Sequence, residues 1–588
     1  MTTDRKSPLA LLRTALVGLT MAAAVASMGR ADAQTVTTPG GTFPAETFQG
    51  VAGNGITTFL GIRYAAAPTG NLRFAAPTPP AAVTGTVEAT QFGSPCPQSA
   101  SPFGTASNDE DCLFLNVYVP GSSVSARNSL PVMVFYHGGA FVFGQGSLYN
   151  PTQMAMEGDT IVVTINYRLG ILGYLADAAL DAVSPNNASG NYGLRDQQFA
   201  LKWVQQNISA FGGNPRNVTI FGESAGGFSV CANIVSPAAK GLFQAAITES
   251  GPCATPLPTK AAAEAGGAQI VSALDCADAT AAATVACLRG LSIAQILAVQ
   301  NAVTGANSLA SLFAFFPDVD GVVIPQEPIT AIALGEYNHV PVIEGTNHDE
   351  GRLFVALAFD LNPTVGPLTA ANYPAAVAAI AATAVQEGQA VLASLGSGGT
   401  ASSSNTQKEI ATLTQEIVNE YPLANFPSPD VALATVLTDS GFSCPANIGS
   451  ELFSLETPTF AYEFKDENAP MLFLPPVSFA YGATHTDELQ FLFNFPNDPL
   501  TANEQQLATT MKGYWTNFAR NGSPNGSGDP TWPGLTILAD DIQSLTPPTP
   551  SVEFNFAQDH KCNFWLGILV QTALAGVADE ISAAGIIH

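Results

Sequence analysis

The chain carries little charge, and little of that charge is positive. Charged residues make up 11% of the 588 residues, and 20 Lys and Arg stand against 47 Asp and Glu, giving a formal net charge of -27. Such an acidic surface repels nucleic acid and anionic membranes. We therefore expect no nucleic-acid partner, and we interpret the acidity as a means of keeping the protein in solution.

Long hydrophobic runs are missing as well. Two stretches, Thr14–Met28 and Phe564–Ala578, are apolar, and both are shorter than the roughly 20 residues that a membrane-spanning helix needs. The second stretch is also interrupted by Gln571. We expect no stable membrane anchor in the mature protein.

The first apolar stretch is typical of a secretory signal. Arg5, Lys6 and Arg13 precede it, and an A-x-A sequence follows it and ends at Ala33. A basic start, an apolar centre and small residues at the cleavage site are the parts of a signal peptide. The sequence predicts a signal over residues 1–33, cleavage after Ala33, and a secreted or periplasmic protein.

Among the features that are present, a serine flanked by glycines is the most specific. The sequence Gly-Glu-Ser-Ala-Gly at 222–226 follows a β-branched run, Val218–Phe221. A serine between a strand and a helix in the pattern G-x-S-x-G sits on a sharp turn that exposes its hydroxyl above a sheet. The bare pattern also occurs in ordinary glycine-rich turns. The flanking strand favours Ser224 as a nucleophile, with a helix beginning at Ala225.

Apolar segments alternate with helical patterns along the chain. Leu130–Tyr136 and Thr160–Tyr167 are short runs rich in Val, Ile and Phe, and Gln197–Ile208 has a helical pattern. This alternation is typical of a mostly parallel sheet with helices on both faces, an α/β fold.

A second helical region follows later in the chain. The alanine-rich segment Leu368–Leu395 and the segment Gln407–Tyr421 are predicted to be helices, with the Gly- and Ser-rich segment Leu395–Thr406 as a loop between them. We expect these helices to form part of a cap over the sheet.

Four motifs together resemble those of a known family. The segment 211–226 fits the pattern F-G-G followed by the serine motif, and Glu110–Asn116 fits E-D-C-L-x-L-N; Asn166–Gly170 and Gly190–Gln197 also match in order and spacing. The chain thereby resembles the type-B carboxylesterase and cholinesterase family from about Gly50 to about Trp565. The resemblance implies an α/β-hydrolase fold over 34–588 with cap helices around 366–425. It also implies a serine carboxylesterase acting on a small-molecule ester without a metal or organic cofactor.

A nucleophilic serine needs a base to take its proton, and the chain has only six histidines. In this fold the triad residues occur in the order serine, acid, histidine. His485 lies in a loop after Ser224 and resembles the His-x-x-Glu segment of the family, so we predict it as the general base. The other five are His137, His339, His348, His560 and His588.

The orienting acid is expected just after a strand, and Val340–Ile343 is predicted to be that strand. Asp349 and Glu350 both follow it. The chemistry of the residues leaves both open. The resemblance to the N-x-x-E-G loop of the family implies Glu350.

An ester-cleaving site also needs backbone N–H groups that stabilise the oxyanion. The sequence His-Gly-Gly-Ala-Phe at 137–141 resembles the H-G-G-G loop of the family and implies Gly139 and Ala140 as donors, together with Ala225. An alanine replaces the usual third glycine, and we expect its N–H to serve equally.

Two further residues near the serine are expected to support the site. Glu223 precedes the nucleophile and, by resemblance, lies near the histidine, although a purely structural buried carboxylate is an equally good interpretation. Ser250 matches a family serine behind the triad. Phe141 and Phe354 are candidates for the pocket wall.

Eight cysteines follow the signal, and an exported protein can form disulfide bonds. The resemblance implies the pairs Cys96 with Cys112, Cys276 with Cys287, and Cys444 with Cys562. Cys231 and Cys253 are left over. Because Cys231 lies seven residues after Ser224 on a helix predicted to be buried, we interpret it as a small core residue.

The first cysteine loop bears on the substrate. Residues 97–111 are few, rich in Ser, Gly, Pro and Asn, and include no tryptophan. In the family, lipases carry a lid helix in this loop and cholinesterases carry a choline-binding tryptophan, so we expect neither an interfacial lid nor choline specificity. Two alternatives stay open: a lipase or polyester hydrolase with an open site, and a catalytically silent binding or adhesion module.

Overall fold

The computed structural model describes residues 32–121, 124, 129–305, 314–394, 403–496, 500–536 and 541–583. The apolar core of the predicted signal, residues 395–402 of the predicted loop, and His588 lie outside the described residues. The first strand begins at Asp32, so the predicted cleavage after Ala33 would remove its first two residues.

One sheet of thirteen strands organises the molecule. The strands are β1 (Asp32–Thr37), β2 (Thr47–Gly53), β3 (Ile56–Arg63), β4 (Thr86–Glu88), β5 (Phe114–Pro120), β6 (Leu130–Tyr136), β7 (Ile161–Ile165), β8 (Gly213–Glu223), β9 (Ala245–Glu249), β10 (Val342–Asn347), β11 (Thr459–Phe464), β12 (Ile542–Leu545) and β13 (Ser551–Glu553). Their order across the sheet is β1-β2-β3-β5-β7-β6-β8-β9-β10-β11-β12-β13, and β4 pairs with β2.

Within the sheet, the pairs along β7-β6-β8-β9-β10-β11-β12 are parallel. The pairs outside this central part are antiparallel, except that β4 is parallel to β2. Every residue of Leu130–Tyr136 is buried. Successive side chains of a strand point to opposite faces, and accordingly Val134 belongs to one hydrophobic cluster and Met133 and Phe135 to another. Both faces of the sheet are therefore covered, which explains the continuous apolar sequence.

Helices cover both faces. They are α1 (Thr152–Glu157), α2 (Gly170–Tyr174), α3 (Ala178–Val183), α4 (Tyr192–Asn207), α5 (Ala225–Val235), α6 (Lys260–Ala273), α7 (Ala281–Gly290), α8 (Ile293–Thr304), α9 (Pro328–Ala333), α10 (Gly351–Val355), α11 (Tyr373–Ser394), α12 (Ser403–Glu420), α13 (Pro429–Thr438), α14 (Cys444–Ser454), α15 (Leu489–Leu492), α16 (Ala502–Asn521), α17 (Phe556–Asp559) and α18 (Cys562–Ala583).

The predicted cap segment contains α11 and α12. Together with α18 these helices pack around a third hydrophobic cluster that includes Val377, Leu413 and Trp565. The phenol of Tyr373 donates a hydrogen bond to the Tyr421 carbonyl at 3.0 Å and joins the two helices. The role of this region as a cap remains a prediction.

Four disulfide bonds tie the elements together. Three join the pairs that the resemblance implied, Cys96–Cys112, Cys276–Cys287 and Cys444–Cys562. The fourth joins Cys231 to Cys253, whose Cα atoms are 5.1 Å apart, so the interpretation of Cys231 as a plain core residue is wrong. Helix α5 approaches the segment after β9 closely enough for the bond. Disulfide bonds persist in oxidising compartments, and these four indicate an extracellular or endoplasmic-reticulum type of environment.

Within the described ranges, no single helix has the length and apolarity to cross a membrane. One bent pair, Ala281–Gly290 with Ile293–Thr304, meets the length and composition requirement only when both helices are taken together, at an angle of 101°.

Candidate active site

Ser224 occupies the sharp turn between β8 and α5. Its backbone angles, φ 57° and ψ -122°, are unusual for a residue with a side chain, and such strain persists only where the surroundings impose it. The Ser224 N–H donates to the Glu249 carbonyl at 2.9 Å. A Cβ at Gly226 would collide with the Tyr136 carbonyl oxygen, so only glycine fits there. The structure thus places the half-buried serine at the carboxyl end of the parallel sheet.

His485 lies in the loop between β11 and α15 and is almost fully buried, with 2% of its surface exposed. Its Nδ1 is 2.6 Å from Oε2 of Glu350. Its Nε2 has no hydrogen-bond partner among the described residues and lies 3.2 Å from Oε1 of Glu223, the residue before Ser224. One side of the imidazole is therefore fixed by a carboxylate, and the other faces the serine turn.

Glu350 directly follows the turn at the end of β10 and is fully buried. Its Oε1 accepts the Asn347 N–H at 2.8 Å, which leaves Oε2 for His485. Strand β10 covers Val342–Asn347 rather than the predicted Val340–Ile343, because its pairing with β11 continues to Asn347. The acid still follows the carboxyl end of a parallel strand, where sites of open α/β sheets form.

The neighbouring Asp349 has a different set of contacts. Its Oδ2 accepts the Ala483 N–H at 3.1 Å, and its Oδ1 is 2.7 Å from the Arg352 guanidinium. A Cβ at Gly482 would collide with the same carboxylate. Asp349 therefore fastens the histidine loop to the acid turn, whereas Glu350 contacts the imidazole itself.

The loop after β6 presents the predicted oxyanion donors. Gly139 and Ala140 have φ values of 105° and 54°, and their N–H groups form no hydrogen bond with any described residue. Ala225 is the first residue of α5, where an N–H has no acceptor within the helix. Positive φ is easiest for glycine, so Ala140 holds a strained conformation at the position where the family usually has glycine.

Four buried glutamates surround the imidazole region: Glu223, Glu249, Glu350 and Glu488. Burial raises the pKa of Glu249 to about 8, although a hydrogen bond from Trp515 Nε1 at 2.6 Å acts in the opposite direction and lowers it. Burial, with the neighbouring carboxylates adding to it, raises the pKa of Glu223 and Glu488 well above the ordinary value. Charged carboxylates this close repel one another. Burial and this repulsion therefore favour the protonated forms of Glu223, Glu249 and Glu488.

Of the two predicted wall residues, Phe354 lies beside His485 and Phe141 does not, and Ser250 lies in the segment after β9. The Ser250 N–H donates to the Gly345 carbonyl at 2.8 Å, and its buried hydroxyl has no partner among the described residues. The Phe354 ring lies 4.8 Å from the His485 ring. The Phe141 ring is fully buried and packs against Tyr174 at 4.8 Å, so it supports the oxyanion loop from within the core.

Sequence reasoning missed several residues of this site. Glu249, Trp515 and Asn347 were not selected, and neither was Phe442, whose ring lies 5.2 Å from His485. Glu488 is the glutamate of the His-x-x-Glu segment, so its spacing of three positions from His485 is a signal that the sequence offers. The other contacts join residues far apart in the chain.

The fold and the site define an α/β-hydrolase. A solved PNB esterase structure superposes with a TM-score of 0.71 at 32% identity and covers 90% of this chain and 99% of its own. A second solved structure, of a thermophilic PNB esterase, gives the same TM-score at 31% identity. The predicted fold class is confirmed.

The family follows from sequence comparison. The model of the carboxylesterase family matches residues 32–565. The human protein named cocaine esterase is 34% identical over 540 residues, 88% of each chain. The para-nitrobenzyl esterase of Bacillus subtilis is 33% identical over 491 residues, 81% of this chain and 88% of its own. The protein belongs to the carboxylesterase family and is a carboxylic ester hydrolase, as the motifs predicted.

Proposed function

We propose that the protein is an exported serine carboxylesterase with Ser224, His485 and Glu350 as its catalytic triad. The observation that carries the proposal is the different hydrogen bonding of the two ring nitrogens of His485. Its Nδ1 is held by the buried Glu350 carboxylate, while its Nε2, beside the Glu223–Ser224 turn, has no hydrogen bond to any residue that the structure describes. A base with one fixed and one available nitrogen can take and return a proton.

The proposed reaction is a double displacement. The Ser224 hydroxyl attacks the ester carbonyl carbon and passes its proton to Nε2 of His485. The carbonyl oxygen becomes an oxyanion, stabilised by the N–H groups of Gly139, Ala140 and Ala225. His485 then protonates the leaving alcohol, and an acyl group remains on the serine.

Water completes the cycle. His485 takes a proton from a water molecule, the resulting hydroxide attacks the acyl carbon, and the acid leaves as the proton returns to Ser224. Glu350 holds the imidazole in one tautomer and stabilises its protonated form in both halves. Every step uses groups of the chain itself, the ester and water.

The surroundings favour an uncharged ester. The Phe354 and Phe442 rings stack 5.4 Å apart beside His485 and offer an apolar face. Residues 97–111 form short turns and bridged pairs without a helix, which argues against a lid and hence against the lipase alternative. A relative named for a para-nitrobenzyl substrate is in keeping with an ester that carries an uncharged aromatic group.

The test is hydrolysis of p-nitrophenyl esters from acetate to palmitate by the wild type and by Ser224→Ala. We expect turnover of short chains in solution, weak activity on emulsions, and background rates for the variant. Labelling with a fluorophosphonate adds a direct readout, since one adduct on the Ser224 peptide is expected. A folded wild type that neither hydrolyses the series nor takes the label would favour the silent binding module.

Export is tested separately. We expect the protein secreted by a host with a signal peptidase to begin at Gln34. The removal of Asp32 and Ala33 leaves four of the six residue pairs between β1 and β2. A secreted product that keeps residues 1–33 would contradict the proposed signal.

A further inference from the structure

Two histidines and a glutamate meet at a second place in the molecule, outside the proposed triad. His348 lies in the turn after β10, Glu463 is on β11, and His560 lies between α17 and α18. Each offers one ligand atom, and these atoms all lie within 4.8 Å of one another. The proposed ester hydrolysis uses none of the three.

We propose that His348, Glu463 and His560 form a structural Zn²⁺ site. Imidazole nitrogen and carboxylate oxygen are ordinary zinc ligands, at about 2.0–2.2 Å from the metal, and a tetrahedral site therefore spaces its ligands by about 3.4 Å. Nε2 of His560 and Oε1 of Glu463 are 2.7 Å apart. This pair must move slightly apart, and the His348 ring must move as well, to bring the three ligands to this spacing, with water as the fourth.

The surroundings of His560 resemble the outer shell of a metal site. Zinc-binding histidines usually donate their second ring N–H to a carboxylate, which fixes the tautomer and the ring. Nδ1 of His560 is 2.7 Å from Oδ1 of Asp439. The other oxygen of Asp439 accepts the Tyr421 hydroxyl at 2.7 Å, and the Trp565 N–H donates to that hydroxyl at 2.8 Å. The ring is therefore aimed at Glu463 by a chain of buried hydrogen bonds.

His348 supplies an entry path. A third of its side chain, 32%, is exposed, so the cluster lies next to solvent on this side. Its buried Nδ1 lies 3.5 Å from Asp349 Oδ1, longer than an ordinary hydrogen bond. A ring in this state can turn toward a metal at little cost.

The charge around the cluster also fits a divalent cation. Two cations, Arg352 and Lys465, accompany four carboxylates, those of Asp349, Asp439, Glu463 and Glu553. More carboxyl groups than cations therefore lie beside the cluster, which is an environment that suits a divalent cation.

Zinc bound here would join three separate parts of the chain. His348 belongs to the turn that carries Glu350, Glu463 to the sheet, and His560 to the start of the C-terminal helix beside the Cys444–Cys562 bond. We therefore expect a gain in stability rather than a change in the chemical step.

The experiment uses the full-length protein, stripped with a chelator, dialysed and titrated with zinc chloride at pH 7.5. We expect one tightly bound zinc per chain by elemental analysis and a thermal midpoint that rises with zinc concentration, as ligand binding to the native state requires. Magnesium, which prefers oxygen ligands, should give neither effect.

Variants locate the site. His348→Ala should fold, because the ring is partly exposed, and should lower zinc affinity by about tenfold or more. His339→Ala removes an exposed histidine that stacks on Tyr337 and should bind zinc like the wild type. Glu463→Gln is the second variant and should also lose the zinc response. Failure of the wild type to bind stoichiometric zinc, or equal affinity in all three variants, would overturn the proposal.

Discussion

Two buried histidines, His485 and His560, lie against carboxylates and are bound in different ways. His485 has one nitrogen hydrogen-bonded to Glu350, and its other nitrogen has no such bond within the described part of the chain. His560 is 2.7 Å from a carboxylate oxygen at both nitrogens, in Asp439 and Glu463. Burial lowers the pKa of His560, but these two carboxylates outweigh burial and raise it to about 10. An imidazole that is protonated at neutral pH cannot accept a proton from serine, so the number of bound nitrogens distinguishes the proposed base from His560.

The carboxyl groups around the two rings differ as well. Near His560, Lys465 lies 2.9 Å from both Glu463 and Glu553 and forms an ion pair with each. Near His485, the pKa values of Glu223, Glu249 and Glu488 are raised, above all by burial. Carboxyl groups near His560 therefore lie in ion pairs with fixed cations, whereas burial favours the protonated forms of those near His485.

The largest effect should come from removing the proposed base. His485→Ala leaves Ser224 without a proton acceptor, and we expect kcat for p-nitrophenyl acetate to fall by about 10⁴- to 10⁶-fold. Steady-state kinetics with folded protein, verified by circular dichroism, measure the loss. A decrease below tenfold would remove His485 from the mechanism.

The second prediction separates the two adjacent acids. Glu350→Gln should lower kcat by about 10³- to 10⁴-fold, because the amide no longer stabilises a protonated imidazole. Asp349→Asn is the matched control, and its loss should stay below about tenfold, with some loss of thermal stability as the contacts to Ala483 and Arg352 weaken. Similar losses of kcat in both variants would contradict the assignment of Glu350.

The third prediction concerns His560 in metal-free protein. His560→Gln removes the cation between two buried carboxylates, and breaking a buried pair typically costs about 3–5 kcal/mol of unfolding free energy. The kcat of the folded fraction should change less than threefold or so, because the ring is outside the proposed triad. Chemical denaturation and active-site titration give the two quantities. A loss of kcat as large as that of His485→Ala would show that His560 also takes part in catalysis.

The fourth prediction is a pH dependence. The pKa of Glu249 is raised to about 8 in the folded state, against an ordinary value of 4.5. A raised pKa means that the folded state binds the proton more tightly, so this contribution to stability is complete below about pH 4.5 and is lost as the pH rises through about 8. Glu249→Gln keeps an acceptor for Trp515 and cannot ionise.

We therefore expect Glu249→Gln to be more stable than the wild type at pH 9. Its free energy of unfolding should also decrease less than that of the wild type between about pH 4.5 and 8. Denaturant unfolding at several pH values measures both. Glu157→Gln changes a carboxylate with 44% of its side chain exposed and serves as the control. Parallel pH curves for wild type and Glu249→Gln would show that Glu249 titrates normally.

The smallest effect is expected at the oxyanion loop. Ala140 has a φ of 54°, and a left-handed conformation costs a residue with a side chain about 1 kcal/mol relative to glycine. Ala140→Gly should raise the thermal midpoint by a few degrees at most and leave kcat for acetate esters nearly unchanged, since the N–H remains. A clear loss of stability would show that the methyl group contributes more by packing than it costs in strain.

Local sequence predicted much of the fold and most of the proposed site. Strand β6 occupies the predicted Leu130–Tyr136, and α5 begins at the predicted Ala225. These features depend on the properties of a few consecutive residues, such as β-branched runs and small residues around a sharp turn. Boundaries were less accurate at β10, because its end depends on pairing with β11, a strand more than a hundred residues later.

The sequence by itself determined the sheet architecture, the serine turn and the family, since each rests on local patterns and motif spacing. Tertiary structure decided the contacts between distant segments. It paired Cys231 with Cys253, gave Glu350 rather than Asp349 the contact with His485 across 135 positions, and bound His560 on both sides. A histidine has the same intrinsic chemistry everywhere in a chain, and only the folded structure determines which carboxylates reach its nitrogens and how much water is excluded around them.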